Sequence, residues 1–123
     1  MAAKITVVDD DRDVRELLDL AFTRAGYEVT QAPSGLRLIG ALHVDRPDLI
    51  VLDVMMSWID GFELCRALKQ NERFKHVPVV FISGKTGAAD VERGLACGAV
   101  DYFPKPLDLE RLIHRVQEII GAP

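Results

Sequence analysis

Lys4-Ile5-Thr6-Val7-Val8-Asp9-Asp10 and Leu49-Ile50-Val51-Leu52-Asp53 decide the fold. Each is a short apolar run, rich in β-branched residues, that ends on acid. Runs of this length and composition predict strands buried on both faces, as in parallel sheets. Two further runs have the same character: Val79-Val80-Phe81-Ile82 leads into Ser83-Gly84, and Tyr102-Phe103 is followed by Pro104-Lys105-Pro106. Parallel strands of one α/β sheet end at a common edge, and ligands of such folds sit in the crevice outside those ends. Asp9, Asp10, Asp53, Ser83 and Lys105 are therefore expected to converge. Acids facing one lysine and one hydroxyl suit a divalent cation and a phosphoryl group.

Between these runs the apolar period becomes helical. Val14, Leu17, Leu18, Ala21 and Ala25 share one face, and Gly26 supplies a stop. Glu28 to Ala32 reads as a strand. Ser34 is placed to cap a helix carrying Leu38, Ile39 and Leu42 that ends before Arg46-Pro47. Asp60, with Glu63 three residues on, has the pattern of a capping box and opens a helix through Leu64 and Leu68. A weaker helix with Ala88, Val91 and Leu95 ends around Cys97-Gly98. A short strand, Asp101 to Phe103, follows, and the last helix starts near Asp108 and carries Leu109, Leu112, Ile113, Val116 and Ile120. Five strands alternate with five helices, and right-handed crossovers then give a doubly wound α/β sheet.

The 123 residues suit one domain, and residues 1–123 are read as such, without repeat, linker or low-complexity tract. Apolar residues make up 49%, enough for a real core. A net charge of −4 argues against general attraction to nucleic acid or anionic lipid. Arg111, His114 and Arg115 read first as a solvated helix face and second as a docking surface. The N-terminus lacks a signal-peptide pattern and no run is long enough to span a membrane, so a cytoplasmic protein is expected. Cys65 and Cys97 have no CxxC spacing and read as small buried hydrophobes. His43, His76 and His114 are too scattered to form a metal-ligand set.

Asp9-Asp10 after the first strand, Asp53 after the third, Ser83 after the fourth and Lys105-Pro106 after the fifth resemble the receiver domain of bacterial response regulators, including chemotaxis regulators. The segment from Asp53 through Met55, Trp58 and Asp60-Gly61 to Phe62 is similar to the loop after that family's phosphoacceptor. The match covers essentially the whole chain, in order. It implies a flavodoxin-like five-stranded sheet of order 2-1-3-4-5 and a place in a two-component phosphorelay. Asp53 would take a phosphoryl group from a histidine kinase or a histidine phosphotransfer protein. The domain would be no enzyme beyond catalysing its own phosphorylation and dephosphorylation.

Three crowded carboxylates need positive charge among them: two like charges about 4 Å apart repel by roughly 4 kcal/mol at an effective dielectric near 20. Mg²⁺ (or Mn²⁺) suits this role, with Asp10 and Asp53 as direct ligands and Asp9 acting largely through water. The resemblance adds the Met55 backbone carbonyl. Lys105 would neutralise phosphoryl charge, aimed by a cis Lys105-Pro106 peptide as the family implies, and the Ser83 hydroxyl would donate to a phosphoryl oxygen. Phosphorylation would draw Ser83 in and let Tyr102, at the family's switch-aromatic position, turn inward. The surface spanning Val91 to Cys97, Tyr102 and the last helix would then regulate an effector protein or an output domain outside this sequence. Homodimerisation on phosphorylation is a further expectation; direct contact with nucleic acid or membrane is not.

Singly, several of these residues have plainer readings. Asp11 or Asp13 reads as a helix cap rather than a ligand. Ser83 alone is a turn residue, Lys105 alone a solvated cation, and Tyr102 is read equally as packing or switch. Trp58 reads as a partly exposed loop residue. Ser57-Trp58 stands where the family usually carries Pro-Gly, and serine replaces the commoner threonine at position 83. Lys85 and Met55 are expected to shield the phosphate from water. Three rivals compete with this reading. A phosphorylation-independent pseudo-receiver is opposed by the intact acids and lysine. A flavodoxin-like binding protein would need a Ser/Thr/Gly-rich phosphate loop after the first strand. A haloacid-dehalogenase-type hydrolase would need Asp-x-Asp on that strand.

Overall fold

Each β-branched run becomes a strand, and each helical period a helix that covers the sheet. A computed structural model describes residues 2–123. In chain order the elements are β1 (Lys4–Val8), α1 (Arg12–Arg24), β2 (Glu28–Ala32), α2 (Gly35–Val44), β3 (Leu49–Asp53), α3 (Gly61–Lys69), β4 (Val79–Ser83), α4 (Ala88–Ala96), β5 (Asp101–Pro104) and α5 (Leu109–Ile120). The strands form one parallel sheet of order β2-β1-β3-β4-β5.

Successive strand residues point to opposite faces, so an all-apolar strand feeds two cores. Ile50, Leu52, Val79 and Phe81 pack with Leu38 and Leu42 of α2 and Phe62 and Leu64 of α3. Leu49, Val51, Val80 and Ile82 pack on the other face with Leu18 and Phe22 of α1 and Leu112 and Val116 of α5. β3 and β4 are buried along their whole length, whereas the edge strand β2 is largely exposed.

Of the two α1 cap candidates Asp11 is the cap and Asp13 lies inside the helix; the other caps follow the sequence. Asp11, Ser34 and Asp108 accept from the N–H groups of Asp13, Arg37 and Arg111. Gly26 and Gly98 follow α1 and α4 at φ 104° and 102°. Asp60 caps α3 as expected, its Oδ1 accepting from Phe62 N at 2.7 Å, while the reciprocal Glu63 half of the capping box does not form among the described residues. Asp60's other oxygen faces Arg93 at 3.8 Å, which ties the start of α3 to α4. α4 starts on Gly87 without a side-chain cap. Cys65 and Cys97 are free and buried, as expected. No helix is long and apolar enough to cross a membrane.

Three strands run one residue past their expected ends. Asp53 pairs with Ile82 and Ser83 with Pro104, so both polar residues sit on the last rungs of the ladder. Backbone pairing fixes them more firmly than a following loop would.

Candidate functional site

The C-terminal edge of the sheet brings the five strand-end residues together. Asp9 is wholly buried, Asp53 is 3% exposed and Ser83 is buried, while Asp10 faces solvent. Carboxylate oxygens of Asp9, Asp10 and Asp53 lie within 4.8 Å of one another. Lys105, on the loop after β5, reaches back across the edge. Its Nζ donates to Asp9 Oδ2 at 2.8 Å and lies 3.6 Å from Asp53 Oδ2. The Lys105-Pro106 peptide is cis, and Lys105 N donates to Ser83 O at 2.8 Å.

The carboxylates differ in what they have left to offer. Asp9 Oδ1 accepts from Asp11 N at 2.9 Å and Oδ2 is taken by Lys105, so both oxygens are engaged. Asp53 Oδ1 accepts from Met55 N at 3.2 Å. Burial pushes the Asp53 carboxyl up to about 6, the Asp9 charge adds to this, and Lys105 pulls the other way. Burial disfavours the charged form of Lys105, but its hydrogen bond to Asp9 and the Asp53 and Asp9 charges outweigh it and raise its pKa. One lysine thus offsets three acids only in part. Hard oxygen donors this close, with negative charge to spare, fit a small divalent cation.

Beside Asp10 is an open hollow of about 590 Å³, lined also by Met55, Trp58, Asp60 and Lys85 among others. Ser83 Oγ accepts from Lys85 N at 2.9 Å. Tyr102 OH donates to Lys85 O at 2.6 Å, and its ring packs against Phe81 with centroids 5.9 Å apart. The Tyr102 ring is buried in this structure. Gly94 of α4 explains the room, because a Cβ there would stand 2.9 Å from Tyr102 Cδ2.

Among the described residues, no buried side-chain nitrogen or oxygen lacks a partner, so this polar edge is internally satisfied. Residues 5–117 match the response regulator receiver domain. The chain belongs to the response regulator receiver family. This receiver is 39% identical over 120 residues to response regulator MprA of Mycobacterium tuberculosis, covering 98% of this chain and 51% of that protein. It is 41% identical over 119 residues to response regulator PleD of Caulobacter vibrioides, covering 97% and 26%. The receiver thus spans about half the length of MprA. Among solved structures, chemotaxis protein CheY4 of Vibrio cholerae superposes with a TM-score of 0.90 at 29% identity, covering 97% and 99% of the two chains. The receiver domain of Francisella response regulator 1452 gives 0.90 at 29% identity, covering 96% of each. Membership is consistent with a phosphoacceptor role; the family comprises signalling domains and not classical enzymes.

Three supporting residues escaped the sequence reading. Arg15 of α1 donates from Nη1 to Asp9 O at 2.8 Å, and no local pattern announces it. Gly61 lies so close to β3 that a Cβ would meet Asp53 O at 2.5 Å and Val54 Cα at 2.8 Å. The Asp60-Gly61 pair was its one visible signal. Gly94, against Tyr102, sits in a helical period that gave no reason to single it out.

Proposed function

We propose that this receiver accepts a phosphoryl group on Asp53 from a phosphohistidine, carried by a histidine kinase or a histidine phosphotransfer protein. The observation that carries the reading is Lys105 Nζ held between the buried carboxylates of Asp9 and Asp53, with Asp10 at the solvent side of the same cluster. An Asp53 oxygen attacks phosphorus in line as the histidine N–P bond breaks, and the electron pair returns to the imidazole. Phosphoryl transfer asks mainly for positioning and charge neutralisation. The Lys105 ammonium supplies a fixed positive charge, and the Ser83 hydroxyl is available to donate to a phosphoryl oxygen. Self-dephosphorylation is the attack of water on the same phosphorus, with Asp53 leaving; Lys85 and Met55, at the mouth, limit that water's approach.

Mg²⁺ (or Mn²⁺) would be held by Asp10, Asp53 and the Met55 backbone carbonyl, and would supply further charge neutralisation. Asp9 suits an outer role because both its oxygens are already engaged. Ser83, Tyr102 and the α4–β5–α5 face form the switch read by an effector or output domain. Residues 1–123 act as one domain.

Incubation with acetyl phosphate, with and without Mg²⁺, followed by intact mass measurement tests this. The expected result is a Mg²⁺-dependent gain of one phosphoryl group in the wild type and none in Asp53→Asn. No gain in the wild type would leave a phosphorylation-independent interaction module as the function.

A further inference from the structure

Trp58 departs from the rest of the chain in two respects. Among the described residues it is the one non-glycine with positive φ, at 77°. It is also fully exposed, while all five phenylalanines and both tyrosines are buried. A bulky side chain in the left-handed region is an outlier because its Cβ crowds the backbone. Such conformations persist where the surroundings impose them, and they cluster at functional sites. The fold draws no packing from an indole that lies wholly in solvent. A lone exposed apolar residue would need no explanation, but the location of this one does. On one side Trp58 lines a hollow with Met55, Lys85 and Asp10, the solvent-facing member of the carboxylate cluster. On the other it borders an apolar groove of about 550 Å³ against α2, with Leu36 and Ile39. Leu36 is 79% exposed.

We propose that Trp58 is a specificity-determining residue for the protein phosphodonor. Its indole docks on the partner beside the phosphohistidine, and the partner seats an apolar side chain in the groove between Trp58 and Leu36. This rests on the phosphoacceptor reading. A protein donor has to bring its phosphohistidine onto Asp53, so the surface around that histidine meets the rim on which Trp58 stands. Tryptophan offers large contact area at low entropic cost and is enriched at binding hot spots. A donor as small as acetyl phosphate enters the mouth without needing the rim. Trp58 therefore separates the two kinds of donor.

Three variants carry the test. Trp58→Gly removes the indole and the backbone strain. Trp58→Asn removes the indole and tolerates the left-handed backbone. Trp58→Phe keeps an aromatic ring. Each purified chain is labelled with acetyl phosphate and Mg²⁺, and separately by autophosphorylated histidine kinases, keeping the kinase that transfers fastest to wild type. We expect acetyl phosphate rates to stay within about twofold throughout. Transfer from the kinase should fall about tenfold or more in Trp58→Gly and Trp58→Asn, with Trp58→Phe retaining most of the rate. Unchanged kinase transfer in the Gly and Asn variants overturns the proposal. So does a parallel loss with both donors, which would mean a distorted loop, and so does labelling by acetyl phosphate with no kinase able to serve. A wild type that takes phosphate from neither donor refutes the phosphoacceptor reading itself.

Discussion

Asp53 is the residue at which burial and charge meet most sharply. Its carboxyl titrates at about 6 in the folded chain against an ordinary 3.8, chiefly because it is desolvated and also because Asp9 is close. The folded state therefore holds this proton more tightly than the unfolded chain does. The resulting stabilisation is complete below about pH 4 and is lost as the pH rises through about 6. A rise of this size corresponds to on the order of 3 kcal/mol. In metal-free buffer near neutral pH, Asp53→Asn should unfold on the order of 1–3 kcal/mol harder than wild type, and the difference should shrink toward about pH 4. Urea titrations of both chains across that range check this, and parallel pH profiles would contradict it. Cys65 is the simpler counterpart. Burial pushes its thiol up to about 11, in keeping with the sequence reading of an inert hydrophobe.

At the scale of elements, the start of α3 is pressed against the end of β3. Gly61 N donates to Val54 O at 2.9 Å, and a Cβ on Gly61 would collide with backbone atoms of Asp53 and Val54, which no side-chain rotation can relieve. Gly61→Ala should cost roughly 2 kcal/mol or more and slow labelling of Asp53 by acetyl phosphate, because the strand end carrying the acceptor has to move. Thermal unfolding together with the labelling rate reads both effects; a variant with wild-type stability would show that the loop gives way instead. The element boundaries themselves were largely legible. Asp11, Ser34 and Asp108 act as caps where the sequence placed them, because an N-cap is a contact within three residues. Asp60 caps α3 through Phe62 N as well, but without the Glu63 half of the box, and its Oδ2 faces Arg93, a residue from another helix that no local pattern points to.

For the molecule as a whole, the carboxylate cluster is a place where a ligand would add stability to the fold. Mg²⁺ at about one hundred times its dissociation constant would stabilise the native state by about 2.7 kcal/mol. The wild type should melt several degrees higher in Mg²⁺. Asp10→Asn, at an exposed position, should melt at or slightly above wild type without the ion, because one of the crowded charges is gone, and lose most of the shift with it; equal shifts would exclude Asp10 as a ligand. The chain's own periodicities determined the five strands, the five helices and the identity of the residues at the sheet's C-terminal edge, because strand and helix patterns are written over a few neighbouring positions. Tertiary structure decided the rest. It buried Asp9 fully beside an exposed Asp10, and it gave Lys105 to Asp9 across 96 positions of sequence. It also packed the Tyr102 ring against Gly94. Each of these depends on the distance between segments remote in the chain, which no local pattern encodes.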